Sequence, residues 1–145
     1  MIKKLDEINS NQLQYIYTIW LTSNIETHFY INPVFWNSME IVVKEGFLKA
    51  NIFIFEHNGE IEGFIGLQDD YIAGLFVKKE KRNCGIGKLL LNEVKKTKNN
   101  LILSVYQKNK RAISFYENEG FKIIEEQLDE NTNELEYKMI WNHNI

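Results

Sequence analysis

The chain has 145 residues, is 44% hydrophobic and 13% aromatic, and sets 17 basic against 20 acidic residues for a formal charge of −3. That length and apolar content suit one packed domain over residues 1–145 and exclude a disordered polar chain. The slightly acidic balance gives no electrostatic footprint for nucleic acid, the single Cys84 excludes an intrachain disulfide, and three scattered histidines offer no metal cluster.

Met1 to Leu5 reads as a short first strand. Charged residues recur from Lys3 to Glu7, leaving no apolar signal segment, and no run approaches the roughly eighteen apolar residues of a membrane span. A cytoplasmic protein without a membrane partner is therefore expected. Asn9 or Ser10 can cap a helix with apolar positions Leu13, Ile16, Tyr17, Trp20 and Leu21, ending near Thr22 to Asn24. The irregular segment from Ile25 to Asn32 carries Glu26, His28, Phe29 and Tyr30. Pro33, with Asn32 before it as cap, opens a second helix through about Lys49.

The period then changes. Asn51–Glu56 and Glu60–Leu67 are strand-like around Asn58-Gly59, a two-residue hairpin turn. Tyr71–Val77 is a further strand. It runs into Leu75 to Leu90, LFVKKEKRNCGIGKLL, where a strand end feeds a helix through a basic turn and two glycines. Such a junction leaves several backbone N–H groups unpaired at the helix start, and these, with the helix dipole and Arg82, suit a phosphate or pyrophosphate. The glycines complete neither G-x-G-x-x-G nor a P-loop, so this turn alone also fits a junction that binds nothing. The helix runs to about Thr97. Leu101–Tyr106 is an apolar run suited to a central strand, Lys110–Glu119 a helix stopped at Gly120, and Phe121–Leu128 with Leu135–Trp141 a final hairpin. The order βααβββαβαββ implies a mixed α/β sheet of about seven strands with about four helices on both faces.

Two motifs in order make a specific resemblance. R-x-x-G-x-G at Arg82 to Gly87, then N-x-x-A-x-x-F-Y-x-x-x-G-F at Asn109 to Phe121, resembles the GCN5-related N-acetyltransferase (GNAT) superfamily from about Ala50 onward. Within it, Ile19-Trp20, Thr27-His28 and Leu75-Phe76-Val77 look like small bacterial members of the YjaB type. The resemblance implies that acetyl-CoA lies between two splayed strands, here Tyr71–Val77 and Leu101–Tyr106. Its pantetheine arm would pair with backbone around Leu75, Phe76 and Val77. Its pyrophosphate would sit on the loop of Arg82, Asn83, Cys84, Gly85, Ile86, Gly87 and Lys88, and Asn109 would also touch the cofactor. The carbonyl partner would be the N–H of Phe76 or Val77. Asn83 stands where the family often has glycine, and it is the residue that best tolerates positive φ there.

The implied reaction is direct transfer from the thioester to a primary amine, with Tyr116 beside the sulfur to protonate the departing thiolate; the bland reading of Tyr116 is a buried aromatic. Asp69, Asp70 and Tyr71 before the first splayed strand, and Glu26 and His28 on the acceptor side, are candidate bases, although solvated turn acids and a surface histidine are the ordinary readings of such residues. The aromatic and acidic character of Glu26, His28, Phe29, Tyr30 and Trp36 favours a small cationic amine over a protein. A non-catalytic CoA-binding module, or a transferase of another acyl group, is the alternative. A homodimer is compatible with the family.

Overall fold

The computed structural model describes residues 1–143. After β1 (Ile2–Leu5), α1 (Ser10–Thr27) opens with a capping box: the Asn9 side chain accepts from the Gln12 N–H, and the Gln12 side chain accepts from the Asn9 N–H. The helix runs on past its expected end, so Glu26 stands on its last turn rather than in a loop. Neither glycine nor proline interrupts that stretch, and burial of Ser23 and Asn24 carries the helix across residues that otherwise favour caps.

The helix expected from Pro33 to Lys49 is divided. α2 (Pro33–Ser38) is capped by Asn32, which accepts from the Val34 N–H, and α3 (Glu40–Lys49) follows a break at Met39, φ −91° and ψ 2°. Here the Asn37 and Ser38 side chains donate to the Pro33 and Phe35 carbonyls and compete with the helical ladder. The described residues thus form five α-helices rather than four.

β2 (Asn51–His57) and β3 (Glu60–Gln68) turn through Asn58 and Gly59, both at positive φ as a primed hairpin turn requires. There follow β4 (Tyr71–Val77), a 3₁₀ turn at Lys79–Lys81, α4 (Ile86–Lys95), β5 (Asn100–Tyr106), α5 (Lys110–Asn118), β6 (Lys122–Asp129) and β7 (Glu134–Asn142). One seven-stranded sheet has the order β1-β2-β3-β4-β5-β7-β6, and β4–β5 is its parallel pair.

Strand alternation sends side chains into two cores. On one face α4 and α5 bury Leu90, Leu91, Val94 and Ile113 against Leu101, Leu103 and Val105 of β5. On the other, Ile16 and Ile19 of α1 and Phe47 of α3 pack on Ile52, Ile54 and Phe64. Each fully buried large aliphatic side chain contributes roughly 1.5–3 kcal/mol, so both faces anchor the strands between which the site lies. Among the described residues no helix is long and apolar enough to cross a membrane.

Candidate active site

β4 and β5 begin as neighbours and then part. Tyr71 pairs with Ile102, and the Ile102 N–H donates to the Asp70 carbonyl at 2.9 Å, but no further pair joins the two strands. A bulge at Ala73 marks the divergence: Gly74 faces Gly66 and Ile72 faces Leu67, leaving Ala73 without an opposite residue.

The pairing phase shows which backbone groups the gap exposes. Lys78 donates to the Glu62 carbonyl across β3. Alternation along the antiparallel pair therefore turns the Phe76 N–H toward β3 and those of Leu75 and Val77 into the gap. This corrects the expectation that placed Phe76 among the gap-facing donors. Across the gap, Gln107 donates to Leu135 on β7, so Leu103 and Val105 bond to β7 while Ser104 and Tyr106 face β4. An extended, amide-bearing arm can fill the missing ladder.

At the open end of the gap lies the glycine turn. The first α4 ladder bond runs from the Leu89 N–H to the Gly85 carbonyl, and no backbone N–H from Asn83 to Lys88 has a protein acceptor among the described residues. The Arg82 N–H is already used, by the Lys79 carbonyl at 3.4 Å. Gly85 is left-handed at φ 85°, and Asn83 shares that region at φ 65°. Gly87 differs: an added Cβ would meet Phe115 at an ordinary 3.6 Å, so the protein's own packing does not demand glycine there. Open space over unpaired donors at a helix N-terminus fits a pyrophosphate. Cys84 is exposed within this turn.

The Arg82 side chain does not extend over the cradle. Its Nε donates to the Val77 carbonyl at 3.2 Å, and its terminal nitrogens reach Glu26 at 3.0 Å and Ser23 at 3.3 Å. Lys79 lies 3.6 Å from the same Glu26 carboxylate. Glu26 is thus a brace between α1 and the loop.

Asn109 caps α5, its Oδ1 accepting from the Ala112 N–H at 3.2 Å, which leaves its Nδ2 donors for a ligand. Tyr116 on α5 packs edge-on to Phe115 and Phe121. Burial raises its pKa, and its hydroxyl has no hydrogen-bond partner among the described residues, so it is a neutral phenol free to donate.

At the closed end, the Asp70 carboxylate is 3.6 Å from Lys98 Nζ and Tyr71 is 39% exposed. Asp69 turns the chain at φ 54°. His28 stands at the open end. Its ring stacks on Trp36 at 5.5 Å and meets Tyr106 and Tyr30 edge-on at 5.1 and 5.8 Å. Burial lowers its pKa to about 4, which the nearby Asn24 backbone only partly offsets. His28 Nδ1, Tyr30 Oη and Trp36 Nε1 are buried and, among the described residues, make no hydrogen bond of good geometry, the Asn24 backbone lying beside the His28 ring. From the sequence Tyr106 is only the end of an apolar strand, and the register shows that it faces α1 and α2 at the mouth of the gap. Among the described residues no group of acids, cysteines or histidines is placed to hold a metal.

Residues 49–123 match the family described as "Acetyltransferase (GNAT) domain". The chain is 31% identical to the peptidyl-lysine N-acetyltransferase YiaC of Escherichia coli K12, over 93% of this chain and 94% of that protein. The peptidyl-lysine N-acetyltransferase YjaB of the same organism is 26% identical over 72% of each chain. The apo-YjaB solution structure shares the fold at TM-score 0.83 and 20% identity, over 97% of each chain. An acetyltransferase from Bacillus anthracis, solved with acetyl coenzyme A, matches at TM-score 0.59 and 26% identity, over 65% of this chain and 62% of that one.

Proposed function

The chain belongs to the GNAT family of acetyltransferases, and on that premise we propose that it moves the acetyl group of acetyl-CoA directly onto the ε-amine of a lysine in a peptide. The observation that carries the reading is the run of unpaired N–H groups from Asn83 to Lys88, opening on a gap edged by the N–H groups of Leu75 and Val77. Acetyl-CoA supplies the acetyl group as a thioester, whose transfer to nitrogen breaks the C–S bond and releases a thiol.

The cradle holds the pyrophosphate, and β4 aligns the arm. The N–H of Leu75 or Val77 polarises the thioester carbonyl as negative charge develops on its oxygen. Tyr116 gives its proton to the departing thiolate; the dry surroundings that raise the phenol pKa raise that of the thiolate as well, so the transfer stays matched. The amine approaches from the α1–α2 face, because α4 and its cradle occupy the other. Its surplus proton leaves to water, since a histidine titrating near pH 4 accepts a hydrogen bond but does not keep a proton.

A small cationic amine rested on the aromatic and acidic character of residues 26–36. Glu26, the acid of that segment, is engaged by Arg82 and Lys79 and so is not free to attract a cationic amine. The names of YiaC and YjaB support a lysine side chain instead.

The test is acetylation of a lysine peptide, read by released CoA and by mass, in the wild type, Tyr116→Phe and Gly87→Glu. Tyr116→Phe is expected to lose about a hundredfold or more in turnover with acetyl-CoA affinity unchanged. Gly87→Glu places a carboxylate on the cradle without straining the backbone and is expected to abolish acetyl-CoA binding by calorimetry. A wild type that binds acetyl-CoA yet acetylates only free small amines would overturn the acceptor class.

A further inference from the structure

Among the described residues three buried polar atoms in one aromatic cluster make no hydrogen bond of good geometry: His28 Nδ1, Tyr30 Oη and Trp36 Nε1. Leaving a buried polar group unsatisfied is unfavourable, and native chains leave few. Three around a single histidine call for a common explanation. His28 and Trp36 are 8% and 5% exposed, so little of either ring is open to solvent.

The cluster stands at the mouth of the gap, against the end of β5. Leu101, Leu103 and Val105 of β5 point into the α4–α5 core, so Ile102, Ser104 and Tyr106 point to the opposite face. Tyr106 is the last residue of the strand, and its ring is the floor on which His28 and Tyr30 rest, at 5.1 and 6.4 Å. The Tyr106 hydroxyl is committed to Asp129 at 2.6 Å, which fixes the floor. Lys108 Nζ sits 4.8 Å over the Tyr30 ring while pairing with Glu134 at 3.0 Å. Beside the cluster Phe29 is 84% exposed and Val34 70%, an apolar rim around a polar interior.

The orphaned atoms differ in what they require. An indole N–H donates only, so Trp36 needs an acceptor. A neutral imidazole nitrogen and a phenol oxygen can both accept. Burial keeps His28 uncharged above about pH 4 and Tyr30 protonated up to about pH 12, so both hold these roles throughout the working range. A ligand satisfying all three brings an amine and, farther along, a carbonyl. A plain alkylamine satisfies only two.

We propose that His28, Tyr30, Trp36 and Tyr106 form the acceptor pocket, in which His28 and Tyr30 accept from the incoming amine and Trp36 Nε1 donates to a backbone carbonyl of the acceptor. The assignment rests on the acetyl-lysine-forming reading above and names the groups that recognise that acceptor. In the free protein the rings close on one another, and the acceptor enters by parting His28 and Tyr30 from Tyr106. The exposed apolar rim takes the methylenes of the lysine side chain.

The experiment compares Nα-acetyl-lysine-N-methylamide, which has backbone carbonyls, with n-butylamine, which has none. The ratio of their kcat/KM values is measured in the wild type, Trp36→Phe and Tyr30→Phe. Trp36→Phe keeps a ring but removes the donor, and the ratio is expected to fall roughly tenfold, the worth of one hydrogen bond to a buried partner. Tyr30→Phe is expected to slow both acceptors and leave the ratio near the wild-type value. Loss of folded protein lowers both rates together and cannot mimic a change in ratio. In the wild type, the indole N–H resonance that disappears in Trp36→Phe is expected to shift when the lysine amide is added, and to stay in place with butylamine. An unchanged ratio in Trp36→Phe, or an unmoved Trp36 resonance at saturating lysine amide, overturns the pocket assignment. Absence of acetylation of the lysine amide by the wild type would instead sink the acceptor class.

Discussion

His28 is the residue with the most unusual environment. Its imidazole is neutral because burial outweighs the Asn24 backbone, bringing the folded pKa to about 4 from an ordinary 6.5. The unfolded chain therefore binds a proton between those values that the folded chain refuses. Stability contributed by the neutral form is complete above about pH 6.5 and is lost as pH falls toward 4. The shift corresponds to at most about 3 kcal/mol. Around the ring stand Tyr30 and Tyr106, with Asp129 on the Tyr106 hydroxyl and the Lys108–Glu134 pair beside Tyr30. The difference between wild type and His28→Gln isolates the histidine from these neighbours. Urea unfolding at pH 7 and pH 4.5 is expected to show a larger acid loss in the wild type than in His28→Gln. Equal losses would mean that His28 is solvated and titrates normally.

At the scale of elements, function comes from an interrupted strand pair. Because β4 and β5 share one bridge, the amides of Leu75 and Val77 on β4 and of Ser104 and Tyr106 on β5 face an opening, while Phe76 is held by β3. Hydrogen exchange should show that alternation directly: saturating CoA slows Leu75 and Val77, and Phe76 is slow with or without it. Adenosine 3′,5′-bisphosphate lacks the arm and a full pyrophosphate, so it is expected to leave the β4 amides fast. Protection of Phe76 in place of its neighbours would reverse the pairing phase. Much of this element was legible in the sequence: the strand, the glycine turn and the helix are adjacent in the chain, and their chemistry is local. The direction of the Phe76 N–H was not, because it depends on register with β3, which no local pattern encodes. The end of α1 and the break at Met39 escaped for a related reason. Burial of Ser23 and Asn24 extends one helix against propensity, and side-chain bonds from Asn37 and Ser38 interrupt the other where apolar spacing continues.

For the whole molecule, the same opening is a seam. β1 to β4 carry α1 to α4 on one side of it, and β5, β7 and β6 follow on the other, with α5 between them in the chain. The strands on the far side are tied to one another by long antiparallel ladders, but their ladder to β4 is a single bridge, so cohesion across the seam falls to the core under α4 and α5, to the Asp70–Lys98 pair and to the rings of His28 and Tyr30 on Tyr106. Glu26 and Arg82 brace the near side alone. Such a construction should open in parts before it unfolds as a whole. In the free protein, β5 and β7 amides are expected to exchange through an opening of lower free energy than those of β2 and β3. A ligand that lays an extended arm between β4 and β5 supplies the missing pairs to both sides, and at a hundred times its dissociation constant it stabilises the folded state by about 2.7 kcal/mol. Native-state exchange with saturating CoA should therefore bring the β5 and β7 amides up to the opening free energy of β2 and β3. If the free protein already exchanges both sets only through global unfolding, the seam is no weaker than the rest of the sheet, and the gap is a rigid slot rather than a joint closed by the cofactor.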